Sequence, residues 1–521
     1  MIKKRIQKEN TIDFQYENFL IAKAVSDSIR TSLGPHGMDK VIISENEILI
    51  TNDGATILEN AQFDHPSAKM LVDISKSQDQ EVGDGTTTIV VLCGSLLSSC
   101  LNLMKKGLSR IKIAESFRFS LRKTQEILLK IAFPVDLKQK QILYNAAFSS
   151  LESKIISTHS YVFAPIAVNA IFKITNIEFA SDINLKNVKI LKKLGGIIEQ
   201  TELLDGLGID YPVVKSFGGP LKIRNAKIAL IQFCLSPPNT DTDSIVVIES
   251  YSSMDRILRE EKEYLTGICR KIKSSGCNVL LVQKSILREA ISPLCLQILS
   301  QMKIMIIQDI EREEMSFICD SLGCIPIVDI ESFSSEKFGE ADVVEEKSFH
   351  NEKITNFCGI KKQFNKTATI LIRGSNNLLL EEAVRSFRDA LCVIRSIIRR
   401  RYLIGGGGSA EIEVACVLKN YAKGITGVNS YCITAFANSL EIIPYTLAEN
   451  AGLEPIDIIS QLKKHHYNGE KAAGINIRKG IIVNMVKENI ISPLLVITSA
   501  MNMAVEFVIQ ILKIDAIIES V

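Results

Sequence analysis

The stretch that most constrains this chain is Gln78-Asp79-Gln80-Glu81-Val82-Gly83-Asp84-Gly85-Thr86-Thr87-Thr88, with a charge-free run from Ile89 to Met104 directly behind it. Two glycines around one carboxylate let the backbone turn tightly about an anion. The run that follows reads as a buried helix whose first N–H groups and partial positive charge face that turn. Asp84 is then placed to hold magnesium, which takes a hard carboxylate, waters and a substrate's own phosphate oxygens. Gly-Asp-Gly is also ordinary turn chemistry, so the motif alone leaves both readings open.

A length of 521 residues predicts about three domains. An apolar fraction of 46% with 23% charged residues is that of a soluble globular protein. The net charge of +2 calls for neither nucleic acid nor an anionic membrane as partner, and the lack of tryptophan weakens any base-stacking argument. Arg399-Arg400-Arg401 reads as a solvated helix end. Twelve cysteines without a C-x-x-C pair or a Cys/His cluster argue against zinc and against a secreted disulfide framework, and predict reduced, mostly buried thiols. Met1 to Lys8 is basic with no apolar block behind it, so no secretory signal and a cytoplasmic location are expected. Gly85 to Met104 and Ile490 to Val505 are apolar enough to raise the question of a membrane. The first is rich in Thr, Ser, Gly and Cys and the second is broken by Ser492-Pro493 and Asn502, which predicts core helices instead.

In chain order, Phe19 to Ser32 has helical spacing and stops at Leu33-Gly34-Pro35-His36-Gly37. Val41-Ile42-Ile43 and Glu47 to Thr51 read as a hairpin delivering Asn52-Asp53-Gly54-Ala55 to a turn. Asp53 is either a carboxylate with a chemical role or a helix N-cap. Lys106 to Thr158 is helical and amphipathic, with a Ser-Leu-Glu-Ser-Lys interruption ending at Lys154. Strand-like pieces begin at Val188. Residues 215–365 alternate strand and helix, with strands expected at Ile228–Ile231, Val279–Val282, Ile304–Ile307 and Ile325–Val328. A polar excursion from Ser236 to Asp243 precedes a charged helix from Met254 to Arg270, and a helix from Ser285 to Ile298 is expected to present apolar side chains, Leu287 among them. A long helix from Leu380 to Arg400 carries Asp389, for which a surface salt bridge is the default reading. Gly405 to Gly408 opens a further helix as a second backbone nest or a hinge. The remainder to about Ala500 reads as helical, and Ala516-Ile517-Ile518 as a short strand. If the glycine-rich segments near residues 34, 54, 84 and 407 serve one nucleotide, the two chain ends fold together. No Walker motif is present.

Leu33-Gly34-Pro35-His36-Gly37-Met38-Asp39-Lys40, Thr51 to Leu58, Gly83-Asp84-Gly85-Thr86-Thr87 and Gly406-Gly407-Gly408 with Glu411 together resemble a group II chaperonin over almost the whole chain. More narrowly, Ile231 to Ser236, Cys277 to Arg288, Asp309 to Glu313 and Glu470 to Asn476 resemble one subunit type of the eukaryotic cytosolic chaperonin, CCT or TRiC. The resemblance implies a multi-domain α+β and α/β fold. Its parts would be a mainly helical equatorial domain (1–144 and 402–521), a mixed intermediate domain (145–214 and 366–401) and an α/β apical domain (215–365) with a helical protrusion serving as lid. It implies ATP/ADP and Mg2+ as ligands, with Asp84 on the metal and Asp53 and Asp389 placing the attacking water. Leu33, Gly34, Pro35, Asn52, Gly54, Gly85, Thr86, Thr87, Thr88, Lys154, Gly407, Gly408, Asn476 and Ser492 would surround the nucleotide. Asp389, in the intermediate segment, would reach it only when that domain swings down. Partners would be seven paralogous subunits in a hetero-oligomeric double ring and unfolded client polypeptides, with neither nucleic acid nor membrane.

Three positions depart from the family pattern. His36 stands where lysine is usual, which removes a positive charge beside the phosphate loop. Ser409-Ala410 replaces the usual Ala-Pro or Ala-Val, and Ser492 stands where an acidic or amide residue is commoner. None touches the three aspartates, so an ATP-driven folding subunit is the leading expectation. A subunit that binds nucleotide with little or no hydrolysis is the alternative, and a free-standing metal-dependent kinase a third.

Overall fold

The structure, a computed structural model, describes residues 11–43, 48–175, 180–215, 218–237, 251–286, 288–349, 352–361 and 366–514. Two compact units result. One takes in the described residues of 1–168, 177–183 and 381–521, and the other those of 169–176 and 184–380. The two ends of the chain thus share one core.

The first unit is mainly helical and is built on the Thr86–Lys105 helix, which buries Ile89, Val90, Leu92, Leu96, Leu97 and Leu103. Apolar residues occur on all sides of it, so it has no face to give to water. It packs against Thr11–Arg30, Val428–Leu440 and Leu494–Lys513, helices from both chain ends that bring Phe19, Phe436 and Phe507 into the same cluster. Thr86–Lys105, Ile155–Ile174 and Leu494–Lys513 are long and apolar enough to cross a membrane. The first and last of these form the centre of the core. The helix Arg110–Ile131 turns Ile113, Phe117 and Leu128 inward, with the Phe117 ring edge-on to Phe436 at 5.4 Å between centroids.

The hairpin is present as Lys40–Ile43 paired antiparallel with Ile48–Thr51. Beyond Gly408 the chain departs from the expected run of helix. Ala473–Asn476 and Ile481–Asn484 form an antiparallel hairpin, and Ile491–Pro493 pairs with Tyr402–Gly405, which also pairs with Phe133–Pro134. These strands are two to four residues long, too short for an alternation to register, and partners such as Ile404 and Ser492 are distant in sequence. The final helix runs on to Lys513. Ala516-Ile517-Ile518 lies outside the described residues.

The second unit contains a six-stranded sheet in the order Leu207–Ile209, Glu352–Ile360, Gly339–Phe349, Lys222–Ile231, Val279–Gln283, Met305–Ile310. The last three strands run parallel, and the others join antiparallel. A smaller sheet sets Ala368–Gly374 between Val188–Leu194 and Glu202–Leu204. The expected strand at Ile325–Val328 is reduced to a single bridge from Ile327 to Ile231. The hairpin of Gly339–Phe349 and Glu352–Ile360 escaped the sequence reading because its acidic and lysine residues have low strand propensity, which pairing on both sides of Gly339–Phe349 overrides.

The helix expected from Ser285 to Ile298 instead spans Pro293–Gln301, started by Ser292, whose hydroxyl accepts the Cys295 N–H, and by proline at the first position. Leu287 and residues 238–250 of the polar excursion lie outside the described residues. The helix after the excursion, Tyr251–Ser274, buries Leu265, Ile268, Cys269 and Ile272 in its second half, while Tyr251, Met254 and Leu258 in its first half are exposed.

Phe117→Ala should destabilise the first unit by about 3–5 kcal/mol, because the cavity left beside Phe436 cannot close. Denaturant unfolding of the full-length protein measures this, with the transition midpoint falling.

Candidate functional site

Seven segments of the first unit that carry expected site residues converge on two adjoining cavities. One, of about 210 Å3, is lined by Leu33, Gly34, Asn52, Asp53, Asp84, Gly85, Thr86, Thr87, Thr88, Lys154, Gly407, Gly408 and Ser492. The other, of about 450 Å3, is lined by Pro35, Asn476 and again Asp84, Gly407 and Ser492. Of the residues expected to surround the nucleotide, hold the metal or place the water, only Gly54 and Asp389 line neither. Gly54 sits behind the wall, so close to Thr87 that a Cβ there would come within 2.8 Å of its side chain. His36 is exposed and lines neither cavity.

Local rules build the phosphate-sized end. Gly85 caps the Thr86–Lys105 helix and Gly408 caps Ser409–Lys423, both in the left-handed region (φ 79° and 75°), where a side chain would be strained. Each turn points the free N–H groups of a helix start at the cavity, which favours an anion. Asp84 Oδ1 accepts the Gly85 N–H at 2.7 Å, so the aspartate does take part in turn chemistry while lining both cavities.

Asp53 is the N-cap, and it also lines the cavity. Its Oδ2 accepts from the Thr56 N–H at 3.0 Å and the Thr56 hydroxyl at 2.6 Å, capping the Gly54–Asn60 helix. Its Oδ1 accepts from the Thr86 hydroxyl at 2.8 Å and lies 3.8 Å from Lys154 Nζ. The default reading of Asp389 needs correction: its ion pair exists, to Lys154 at 2.9 Å, but it is buried, with 12% of the Asp389 side chain and 8% of the Lys154 side chain exposed. In this conformation Asp389 already contacts Lys154, and residues 381–399 cluster in the same compact unit as Asp53 and Asp84.

The electrostatics follow from one ammonium among three carboxylates. Burial works against the charged form of Lys154, yet Asp389, Asp53 and Asp84 outweigh it and hold its pKa above the ordinary lysine value. Burial also pushes Asp53 up, but Lys154 and the bonds from Thr56 and Thr86 bring it below the usual carboxylate range. Asp84 and Asp389 are raised by burial against the pull of Lys154, Asp389 strongly. Three carboxylates share one ammonium in a desolvated place, and a hard divalent cation beside Asp84 would favour their charged forms against burial. Magnesium needs only one or two carboxylates when phosphate oxygens and water complete its shell, so the donor set fits. Among the described residues no group of three or more His, Cys, Asp or Glu side chains makes a closed metal site.

Some site residues escaped the sequence reading. Gln78 is fully buried, donates to the Asp84 carbonyl at 2.9 Å and accepts from Ser499 at 2.9 Å, tying the loop to the last helix. The available signal was its helical spacing with Ala68, Leu71 and Ser75 on the buried face of Pro66–Glu81. Asp79, raised by burial and by the nearby Asp53 charge, is a further carboxylate at the rim of the cluster. Asn450 donates to the carbonyls of Arg30 and Leu33, holding the first loop in place across more than four hundred residues of chain. Nothing local marks it.

The sequence profile of the TCP-1/cpn60 chaperonin family matches residues 25–521. The chain belongs to that family. Among its relatives, T-complex protein 1 subunit delta of Dictyostelium discoideum is 50% identical over 512 residues, 98% of this chain and 96% of the relative. The same subunit of Schizosaccharomyces pombe is 51% identical over 511 residues, 98% and 97% of the two chains. That of Homo sapiens is 48% identical over 515 residues, 98% and 95%. The delta subunit is also the type that Ile231 to Ser236, Cys277 to Arg288 and Glu470 to Asn476 resemble. This chaperonin therefore assists protein folding, and its family binds nucleotide.

Lys154→Met should cost about 3–5 kcal/mol near neutral pH, because three carboxylates lose their counter-charge. Stripped of the ammonium, Asp53 loses the pull that keeps it low and Asp84 and Asp389, already raised, rise further, so the penalty is largest at neutral pH and shrinks as pH falls through those raised values. Denaturant midpoints of the two proteins, compared across mildly acidic to neutral pH, measure the difference.

Proposed function

We propose that this chaperonin is an ATP-hydrolysing subunit of a hetero-oligomeric double ring, CCT or TRiC, acting in the cytosol beside seven paralogous subunits on unfolded client polypeptides. The observation that carries the hydrolytic part is the meeting of Asp53, Asp84 and Asp389 around Lys154 at the edge of a cavity faced by two helix starts. The double ring and its paralogous members rest on the likeness to the delta subunits. We assign the described residues of 1–144 and 402–521 to an equatorial domain, 145–214 and 366–401 to an intermediate domain, and 215–365 to an apical domain that takes the client. Exposed Tyr251, Met254, Leu258 and Ile286 support the last assignment, because unfolded chains are recognised through apolar surface.

In this reading the phosphates lie against the backbone of Gly85 to Thr88, Leu33-Gly34 and Gly407-Gly408, and the nucleoside end extends past Ser492 toward Asn476 and Pro35. Asp84 holds magnesium, whose charge offsets that of the phosphates and of the carboxylate cluster. Asp53 and Asp389 orient one water for in-line attack, and Lys154 fixes the position of both. Phosphoryl transfer to water needs alignment and charge neutralisation more than a strong base. All three aspartates are kept despite His36 and Ser492, which favours turnover over a purely structural, nucleotide-holding subunit.

Asp389→Ala removes water positioning and leaves the phosphate and metal contacts, so hydrolysis should fall on the order of a hundredfold while nucleotide affinity barely moves. Asp84→Ala should lose magnesium-dependent binding itself. Nucleotide affinity and single-turnover hydrolysis of each variant in the assembled complex test these roles: an unaltered rate in Asp389→Ala would leave Asp389 as a salt-bridge partner of Lys154 only, and binding without hydrolysis in the unaltered chain would point to the structural subunit.

A further inference from the structure

The helix that carries Asp389, Asn377–Arg399, meets the phosphate-loop segment at successive turns. Asp389 contacts Lys154. One turn on, Cys392 lies against Gly83 so closely that a Cβ at position 83 would stand 2.3 Å from the Cβ of Cys392. After a further turn, half-buried Arg395 donates from Nη2 to the carbonyls of Glu81 at 2.8 Å and Gln80 at 3.3 Å. Steps of three residues put these groups on one side of the helix. Gln80 and Glu81 close the Pro66–Glu81 helix, whose last carbonyls have no N–H partner inside it and carry its negative end. A guanidinium is suited to that position. From Glu81 the chain passes directly into Val82-Gly83-Asp84-Gly85.

We propose that Arg395 is a positioning residue for ATP hydrolysis, clamping the end of the Pro66–Glu81 helix to the helix that bears Asp389 and so fixing Asp389 relative to Asp84. The proposal rests on the hydrolytic reading given above. Three features separate this contact from ordinary surface pairing. Its acceptors are backbone carbonyls immediately ahead of the loop, so the clamp acts on the loop's placement and not on a mobile side chain. Gln78 ties the Asp84 carbonyl to the last helix, and the Asp389–Lys154 pair reaches the Lys154 segment, whereas the bonds of Arg395 join the residues just ahead of Gly83 to the helix that bears Asp389. Beyond Arg395, Arg399 holds Asp182 with two hydrogen bonds of 2.7 Å, which steadies the same end of the helix. Both bonds of Arg395 come from a single nitrogen, so a lysine ammonium can replace part of the clamp.

The test uses the full-length chain in its native assembly, photolabelled with an azido-ATP so that this subunit is read separately. An α-label reports binding, and loss of a γ-label reports hydrolysis. A misplacement of about 1 Å can cost about a hundredfold in rate, so Arg395→Met should slow γ-label loss at least about tenfold with α-labelling affinity and the thermal midpoint unchanged. Arg395→Lys should lie between Arg395→Met and the wild type. A rate in Arg395→Met equal to that of the wild type overturns the clamp, as does a parallel fall in affinity, hydrolysis and thermal midpoint, which marks a purely structural contact. Binding without γ-label loss in the unaltered chain overturns the hydrolytic reading and the clamp with it, a result distinct from either of the other two.

Discussion

Lys154 is the charge on which the candidate site depends. Its ammonium is nearly buried and faces Asp389 at 2.9 Å and Asp53 at 3.8 Å, with Asp84 close enough to act on its pKa. A buried ion pair is weak evidence for stability, since desolvation of both partners consumes most of the attraction between them. One cation among three carboxylates is worse placed still as a stabilising device. In the function proposed above, the arrangement serves instead as a prepared site for a metal and a phosphate chain that bring their own balance of charge.

Around that centre the fold works by bringing backbone turns together. The loop at Gly34 is held by Asn450, the loop at Asp84 by Gln78, and Gly407 accepts the N–H of Ile475, which sets the strand bearing Asn476. Each tie runs from a loop to a helix or strand that is itself buried. Loops anchored in this way lose little further freedom when an anion arrives. The glycines supply the turns, and distant side chains supply their rigidity.

Long elements and turn chemistry were legible in the sequence. The buried helix after Gly85, the hairpin before Asn52, the helix carrying Asp389 and the glycine-opened helix after Gly408 all follow from periodicity and from residues that favour particular backbone angles. The short strands between Ala473 and Pro493 and the hairpin at Gly339–Phe349 and Glu352–Ile360 were not, because their pairing is non-local and their side chains do not alternate clearly. The helix expected from Ser285 starts only at Pro293, because Ser292 caps it and proline occupies its first position.

The sequence by itself determined which residue types could meet a phosphate and a metal, and its motifs were enough to identify the family. What only the tertiary structure decided is the state of each charge. Asp53 as cap and Asp53 as site residue looked like alternatives along the chain, and became one carboxylate with two oxygens facing two ways. Asp389 looked like a surface partner and became a buried one. The physical reason is that a carboxylate's charge state depends on desolvation and on charges within a few ångströms, and its neighbours here, Lys154 at one stretch of chain and Thr86 at another, are adjacent only after folding.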